Sequence, residues 1–264
     1  MRTVLVVTTY NQPEHLAAAL RSAAAQSVAP SELVVADDGS GKETADVVAA
    51  AKKRGLPIVH AWREHDGFRA GSMRNRAIRE SKGDYIVFVD GDIVMHPEFL
   101  ADHVAAARPG RFVQGTRAII MPGLTETALA AERFWPAPHA SGIGNRKNLI
   151  RSRALSRWFS DEARGVDRVR TCNFAVWRAD AVKVNGFDED FVGWGSEDHE
   201  FAARLLNSGV RRYNLRFAGL CCHLHHDPNK NAMNPENKER LRRTVESGKT
   251  RCENGLVAEP ALRR

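Results

Sequence analysis

The stretch Tyr85-Ile86-Val87-Phe88-Val89, followed directly by Asp90-Gly91-Asp92, decides the fold class. Apolar residues without polar alternation predict a strand buried on both faces, as in a parallel sheet covered by helices. In open α/β sheets, ligands bind just beyond the carboxyl ends of such strands. The two aspartates therefore lie where a ligand is expected. An Asp-Gly turn that merely ends the strand is the alternative explanation of the tripeptide.

Asp90 and Asp92 bring two carboxylates close together, and such groups repel each other unless a cation or hydrogen-bond donors offset their charge. Carboxylate oxygens are hard ligands that suit Mg²⁺ or Mn²⁺, and these ions neutralise the charge of a diphosphate. The tripeptide therefore predicts a site for a nucleotide diphosphate and a divalent cation.

Short apolar segments alternate with helix-like segments through the first half of the chain, which is the pattern of a parallel sheet with crossover helices. Strands are predicted over 3–9, 33–36, 58–62 and 85–89, and helices from 13, over 42–54, over 71–80 and over 97–107. A second acidic pair, Asp37-Asp38, follows the strand 33–36, so polar residues are expected along one rim. Between 117 and 170 the periodicity is weak, and prolines and glycines predict a mobile loop over the substrate.

The composition is that of an ordinary globular protein. With 264 residues, 43% of them apolar, the chain can bury one large core without disulfides. The four cysteines lack the spacing of a disulfide framework or a zinc knuckle, which favours a reducing, cytoplasmic compartment. No apolar run is long enough for a membrane helix, and the first strand is too short for a signal sequence, so neither a span nor export is expected.

The formal net charge of +7 predicts a surface that attracts anions, which include substrate phosphates, acidic lipids and nucleic acids. Basic residues gather after Arg204, at Lys238, Arg240, Arg242, Arg243, Lys249 and Arg251. This basic tail suggests peripheral attachment to the inner face of the cell membrane, whereas a solvated helix face is the simpler explanation. A nucleic-acid partner is disfavoured because no recognised module accompanies the charge.

A second acidic centre lies at Trp194-Gly195-Ser196-Glu197-Asp198, directly before a helix-like segment. Ser196 is a predicted N-cap, and the helix dipole alone would favour Glu197 and Asp198 in the first turn. The glycines and the indole favour a ligand instead, because glycine lets a backbone approach closely and Trp194 offers a flat apolar face for a sugar ring. Asp198 is the candidate general base.

Three imidazoles lie within four positions at His223-Leu224-His225-His226. In an extended segment, the side chains of His223 and His225 point to one side and that of His226 to the other. One face could therefore supply a metal ligand to the acidic site, while a structural histidine is the alternative.

The order and spacing of these motifs resemble those of the inverting nucleotide-sugar glycosyltransferases of family 2, and among them bacterial enzymes of the chondroitin polymerase type. The resemblance implies an α/β protein with the GT-A fold, which has a Rossmann-like, mostly parallel central sheet flanked by helices and a C-terminal acceptor-side subregion. It also implies a donor-binding half at 1–116, an acceptor-binding and catalytic half at 117–220, and a metal-ligand segment with a basic C-terminal helix at 221–264.

On the donor side, the stretch 6–11 looks like the family's first strand and nucleotide-contacting turn, and 34–40 looks like its uridine-binding turn, with Asp38 at the uracil edge. Asp90-Gly91-Asp92 is similar to the metal motif, in which Asp92 would ligate the cation and Asp90 would act through ribose, water or the cation itself. The resemblance assigns the UDP-sugar donor to Thr8, Tyr10, Asp38, Arg69, Arg74, Asn75 and Asp90.

On the acceptor side, the stretch 186–198 resembles a signature shared with the β-1,4-galactosyltransferases, in which the aspartate after the glutamate is the base. This implies catalysis by Asp198 together with Glu197. Acceptor binding is implied for Trp194, Gly195, Glu197 and Asn173. Ser196 departs from the family, because a glycine is common at this position.

The same enzymes place a sulfur residue three positions before a metal-binding histidine, with Asn-Pro somewhat later. Cys222, His225 and Asn234-Pro235 match that spacing, although cysteine stands in place of methionine. The resemblance therefore implies His225 as the first choice of metal ligand and His223 as the second, beside Asp92 and Asp90.

The resemblance as a whole implies a metal-dependent inverting transferase. It would move a hexose or N-acetylhexosamine from a UDP-sugar, with Mn²⁺ or Mg²⁺, to a hydroxyl of a glycan or lipid-linked glycan in cell-surface polysaccharide or lipopolysaccharide synthesis. The alternative is a non-catalytic sugar-nucleotide or glycan-binding protein with the same fold. A dinucleotide-dependent oxidoreductase is disfavoured because no Gly-x-Gly-x-x-Gly follows the first strand.

Overall fold

The computed structural model describes residues 1–227 and 234–257 of the chain. In this part of the chain the strands are β1 (Thr3–Thr9), β2 (Glu32–Asp37), β3 (Ile58–Trp62), β4 (Tyr85–Asp90), β5 (Ile93–Met95), β6 (Arg111–Gln114), β7 (Ala118–Ile120), β8 (Ile143–Gly144), β9 (Asp161–Ala163), β10 (Phe174–Trp177), β11 (Arg211–Asn214) and β12 (Cys221–His223). The helices are α1 (Pro13–Ala24), α2 (Lys42–Lys53), α3 (Ala70–Glu80), α4 (Phe99–Ala106), α5 (Pro122–Ala130), α6 (Arg153–Phe159), α7 (Arg178–Lys183), α8 (Glu197–Asn207) and α9 (Pro235–Ser247). Short 3₁₀ turns span Arg146–Leu149 and Thr171–Asn173.

The main sheet has the strand order β3-β2-β1-β4-β10-β6-β11-β9. β1 pairs in parallel with β2 and β4, and β2 pairs in parallel with β3. β10 runs antiparallel to both of its neighbours, and β9 runs antiparallel to β11. The predicted mostly parallel sheet is confirmed, and the carboxyl ends of β1, β2 and β4 lie along one rim.

Helices cover both faces of this sheet, as the uninterrupted apolar run of β4 predicts. Val87 and Val89 pack on one face with Leu16 and Leu20 of α1. Ile86 and Phe88 pack on the other face with residues of α3 and α8, among them Met73, Ile78, Phe201 and Leu205. Because β4 is buried on both faces, the acidic residues that follow it are held in a fixed position.

A smaller sheet, with the order β5-β12-β7-β8, lies beside the acidic end of β4. It takes β7 and β8 from the segment 117–170, where the sequence predicts a mobile loop. That prediction is corrected, because the segment also contains α5, α6 and β9. Each of these elements is nine residues long or shorter, which is too short to show a clear period in the sequence.

The predicted division at 116 and 220 stays a prediction. The main sheet continues across position 116, because β6 comes before it while β10 and β11 come after it. Of the third predicted segment, the parts at 228–233 and 258–264 lie outside the described residues. Within residues 1–227 and 234–257, no helix combines the length and the hydropathy needed to cross a bilayer.

Candidate active site

A carboxylate and two imidazoles meet next to the acidic end of β4. Asp92 Oδ2 lies 3.2 Å from His223 Nε2 and 3.0 Å from His226 Nε2. Asp92 is buried and both rings are partly exposed, and one potential ligand atom from each side chain lies within 4.8 Å of the others. These three side chains could therefore hold a single metal ion.

Strand pairing between distant segments brings this cluster together. β12 runs antiparallel to β5, with His223 opposite Ile93, and the Leu224 amide donates to the Asp92 carbonyl over 2.9 Å. Since β12 ends at His223, the alternation of an extended strand does not continue to His226. The His226 ring therefore lies on the same side as Asp92.

His225, the first choice of metal ligand from the sequence, lies outside this cluster. Its side chain is exposed, its amide donates to Thr125 Oγ1 over 2.9 Å, and His15 Nε2 lies 3.0 Å from its carbonyl oxygen. The cluster thus contains His223, the second choice, and His226 in place of His225, and metal binding by these residues stays a prediction. Alternation of side chains holds only in an extended segment, and the strand ends at His223.

The donor set fits a divalent cation. Asp92 Oδ1 is buried and has no hydrogen-bond partner among the described residues, so an acceptor oxygen is left available. Two imidazoles and one carboxylate form a set that binds first-row transition ions. Burial raises the pKa of Asp92, but hydrogen bonds from His223 and His226 outweigh burial and lower the pKa overall, so the carboxylate is ionised. The hydrogen bond to Asp92 raises the pKa of His226 to about 9, so a cation would displace a proton there.

Arg74, on α3, connects three acids from two separate parts of the chain. Its Nη1 donates to Glu197 Oε1 over 3.2 Å and to Asp198 Oδ1 over 3.1 Å, while Nη2 donates to Asp90 Oδ1 over 3.4 Å. Thr8 Oγ1 donates to the same Asp90 oxygen over 2.9 Å. Burial lowers the pKa of Arg74, but the three acids outweigh burial and raise it, so the guanidinium stays charged. Arg74 therefore links the acidic end of β4 to the first turn of α8.

Asp198 is held by Arg74 and by Thr171. The Thr171 amide donates to Asp198 Oδ2 over 3.0 Å, and Thr171 Oγ1 donates to Asp198 Oδ1 over 2.9 Å. A carboxylate offers about four lone-pair sites, so one site on Oδ2 remains free. The side chain is 19% exposed, which leaves that site reachable. A fixed carboxylate with one reachable lone pair is suited to accept a proton from a bound hydroxyl.

Glu197 is the more buried of the two neighbouring acids. Burial is the largest cause and repulsion from Asp198 the second, and together they raise the pKa of Glu197 to about 7. Arg74 acts in the opposite direction. The pKa of Asp90 is also raised, chiefly by burial. Near neutral pH, Glu197 is thus present both as a carboxylate and as a carboxylic acid, and the acid form can donate a hydrogen bond.

The loop before α8 presents Trp194 at the surface. The Gly193 amide donates to the Phe68 carbonyl over 2.9 Å, and the Trp194 carbonyl accepts from the Asn234 amide over 3.1 Å. The indole is 44% exposed, so one flat apolar face is accessible. Gly195 and Ser196 both have left-handed backbone angles, with φ of 107° and 72°. Ser196 occupies the predicted N-cap position, but its side chain makes no capping hydrogen bond.

The predicted uridine end lies at the rim beside β1 and β2. The Tyr10 ring stacks on His65 with centroids 4.3 Å apart and an interplanar angle of 15°. Arg63 Nε donates to Asp38 Oδ1 over 2.7 Å, and His65 Nδ1 lies 2.9 Å from the Asp38 carbonyl oxygen. Gly39 permits this close approach, because a Cβ there would lie 2.4 Å from the His65 amide nitrogen. The geometry offers a ring surface with polar groups beside it.

Three predicted residues have other partners in the structure. The Asn75 side chain donates to the Phe187 carbonyl and accepts from the Phe187 amide, each over 2.8 Å, in a buried position. Asn173 is buried as well, where its amide donates to two backbone carbonyls and its oxygen lies 2.9 Å from His103 Nε2. Both side chains therefore hold neighbouring groups of the protein, and donor binding by Asn75 and acceptor binding by Asn173 stay predictions. Arg69 pairs with Asp66 at 3.1 Å and is free of the acidic cluster.

Three residues of this site are not predicted from the sequence. His226 is not predicted because the alternation of an extended strand places its side chain opposite that of His223. Thr171 holds Asp198 from 27 positions away, and no local pattern marks it. His65 and Tyr10 lie farther apart in the chain, and the pairing of β2 with β1 and β3 brings the two rings together.

Family comparisons cover nearly the whole described chain. Residues 4–160 match the family described as glycosyl transferase family 2. Residues 155–227 match the family described as the N-terminal domain of galactosyltransferase. The two matches overlap shortly before the strand β9 and together include the cluster of Asp92, His223 and His226.

Among curated proteins, the chain is 32% identical to a validoxylamine A glucosyltransferase of Streptomyces hygroscopicus subsp. limoneus over 229 residues, which cover 78% of this chain and 48% of the relative. It is 26% identical to the chondroitin synthase of Escherichia coli over 225 residues, which cover 78% of this chain and 32% of the relative. The chain thus spans half or less of the length of these relatives.

Among solved structures, the S. aureus TarS fragment 1-349 in complex with UDP-GlcNAc matches with a TM-score of 0.65 and 18% identity, covering 94% of this chain and 66% of that one. The mannosyltransferase PcManGT from Pyrobaculum calidifontis, in complex with GDP-Man and Mn²⁺, matches with a TM-score of 0.59 and 18% identity. The match covers 92% of this chain and 69% of that one. These neighbours are glycosyltransferases of the GT-A fold, which confirms the predicted fold class.

Proposed function

Since the chain belongs to glycosyl transferase family 2 and is a glycosyltransferase, we propose that it moves a hexose or N-acetylhexosamine from a UDP-sugar to a hydroxyl of a glycan or lipid-linked glycan, with inversion at the transferred carbon. The proposal goes beyond family membership in four respects, which are the donor, the cation, the base and the acceptor.

A UDP-sugar is the proposed donor. TarS, which has a similar fold, binds UDP-GlcNAc. In this chain the stacked rings of Tyr10 and His65, with Asp38 beside them, provide a flat surface and a polar edge for a uracil ring. Thr8 and Asp90 follow along the same rim toward the metal cluster.

Asp92, His223 and His226 are the proposed ligands of Mn²⁺ or Mg²⁺, because Asp92 Oδ1 has no partner within residues 1–227 and 234–257 and the two ring nitrogens lie beside Oδ2. When bound, the cation would offset negative charge on the diphosphate leaving group. Nη1 and Nη2 of Arg74 are engaged with the three acids, so its proposed role is to position them rather than to bind phosphate.

Asp198 is the proposed base. Thr171 and Arg74 fix its carboxylate, and the remaining lone pair on Oδ2 would accept the proton of the acceptor hydroxyl. The oxygen would then attack the anomeric carbon from the face opposite the diphosphate, which inverts the configuration. Glu197 would hydrogen-bond the acceptor, and Trp194 would support its sugar ring.

A single observation carries the proposal. One guanidinium, that of Arg74, contacts the base Asp198 and also Asp90, which is two residues from the metal ligand Asp92. This shared contact supports the proposal that the base and the cation site face one cleft, as a single-displacement transfer requires.

Release of UDP from a panel of UDP-sugars, with and without Mn²⁺, tests this function. An active transferase releases UDP slowly to water and faster with an acceptor. Asp198→Asn should bind donor as the wild type does while turnover falls about 10²–10⁴-fold. Donor binding without any UDP release by the wild-type protein would instead support the non-catalytic binding alternative.

The acceptor has two candidates. The similarity to chondroitin synthase favours a polymeric or lipid-linked glycan of the cell surface, assembled at the cytoplasmic face of the membrane. The relative with 32% identity is named for the compound validoxylamine A, which favours a small acceptor. Comparison of UDP release with a glycan oligosaccharide and with validoxylamine A separates them.

A further inference from the structure

The helix α6 exposes an unusual amount of apolar surface. Trp158 is 85% exposed and Phe159 is 54% exposed, and Leu155 and Ile150 nearby are exposed as well. No residue of α6 is buried. Isolated exposed apolar residues are ordinary in proteins, but a cluster of large ones marks a surface that another body covers.

Two unpaired cations flank these side chains. Arg153 and Arg157 are exposed, and neither makes a hydrogen bond or ion pair in the part of the chain that the structure describes. Residues 153–159 contain no acid. We call Arg153, Leu155, Arg157, Trp158 and Phe159 the α6 surface. It combines free positive charge with aromatic and aliphatic side chains.

The basic tail predicted from the sequence offers less free charge. On α9, Arg242 pairs with Glu239 at 2.7 Å and also with Glu246, and Arg243 pairs with Glu239 at 3.0 Å. Arg240 pairs with Glu236 at 2.8 Å. Because neighbouring glutamates neutralise these arginines, an anionic surface would gain less by contacting α9 than by contacting α6.

The helix α6 is nonetheless firmly attached to the protein. The Ser152 side chain caps it by accepting from the Leu155 amide, and the Ser152 amide donates to the Phe217 carbonyl over 2.9 Å. The rings of Phe159 and Phe217 lie 5.6 Å apart. The Trp158 indole therefore projects from a fixed base, and its removal should leave the fold intact.

We propose that the α6 surface docks on an anionic lipid bilayer leaflet. Tryptophan and phenylalanine settle at the boundary between headgroups and acyl chains, and unpaired arginines beside them bind acidic headgroups. An anionic leaflet satisfies both features at once, whereas a neutral sugar or an apolar protein face satisfies only the aromatic side chains.

Co-sedimentation of the full chain with vesicles tests the proposal. The vesicles contain phosphatidylcholine alone or phosphatidylcholine with phosphatidylglycerol. The wild-type protein should bind the anionic vesicles much more tightly than the neutral ones, and added salt should weaken this binding. The double variant Arg153→Gln/Arg157→Gln should lose roughly thirtyfold in partition coefficient, which corresponds to about 1 kcal/mol for each arginine near the surface. Trp158→Ser should lose binding even at low salt.

Matched variants on α9 serve as the control. Arg242→Gln/Arg243→Gln removes the same formal charge, and Val245→Ser removes a side chain that is 51% exposed. These variants should bind anionic vesicles within about threefold of the wild type. Equal losses from α6 and α9 variants would overturn the proposal, as would absence of wild-type binding. Self-association without vesicles that Trp158→Ser abolishes would assign the surface to a second copy of the chain and also overturn it.

Discussion

Replacement of Arg74 by methionine removes the only positive charge that contacts Asp90, Glu197 and Asp198 together among the described residues. The side chain of methionine has a similar apolar length but no charge and no donor. Arg74→Met therefore leaves three acids, between 12% and 35% exposed, without their shared partner.

The loss of folding stability in Arg74→Met follows from this geometry. Removal of one partner from a buried ion pair costs about 3–5 kcal/mol, and partial exposure of the acids places this case near the lower value, about 3 kcal/mol. Arg74 lowers the pKa of both Glu197 and Asp90, so its loss moves these pKa values upward. The low-pH limb of the activity profile should therefore shift to higher pH by about one unit or more.

Urea unfolding and the pH dependence of UDP release measure the two effects. Arg76→Met is the matched control, because Arg76 lies on the same helix and pairs with Glu80 at 2.8 Å on the surface. Arg76→Met should lower the free energy of unfolding by about 1 kcal/mol or less and leave the pH profile unchanged. Arg74→Lys keeps a charge but not the two-armed contact, so its pH profile should lie between those of wild type and Arg74→Met. An Arg74→Met protein with wild-type stability and an unshifted profile would refute the reasoning.

Three further predictions concern single side chains. Thr171→Val removes the hydroxyl that donates to Asp198, so turnover should fall by about tenfold while the donor affinity stays unchanged. An equal loss of turnover and donor affinity would contradict a positioning role. Ser196→Gly should stabilise the protein by about 0.5–1 kcal/mol in urea unfolding, since Ser196 has φ of 72°; destabilisation would contradict this. Burial lowers the pKa of His103 to about 4, so the folded state binds fewer protons than the unfolded state, and stability should fall by about 3 kcal/mol as pH drops from 6.5 to 4. His103→Gln should flatten this dependence, and an unchanged slope would argue against it.

Local patterns were enough to predict the donor half of the fold. The apolar run of β4 is buried on both faces, and Asp90 and Asp92 follow it as the sequence indicates. The longer elements there, such as β1, α1 and α2, show a recognisable pattern in the sequence. The short elements of 117–170 lack this signal, so their existence depends on pairing such as that of β7 with β12.

The site was predicted less completely because its geometry depends on distant partners. The direction of the His226 ring is set by where β12 stops pairing with β5, which histidine spacing alone does not encode. Asn75 and Asn173 are polar and near the motifs, yet backbone groups 112 and 46 positions away use their hydrogen-bonding capacity. Asp198 was identified through its motif, while its partner Thr171 carries no motif of its own.

The central claim is that Asp92, His223 and His226 hold a cation in the cleft that Asp198 faces. Calorimetric titration of Mn²⁺ into the UDP-bound protein, with His226→Ala compared with His225→Ala, tests it most directly. We expect His226→Ala to weaken Mn²⁺ binding by about 100-fold or more, while His225→Ala binds as the wild type does. Loss of binding in His225→Ala with retention in His226→Ala would contradict it.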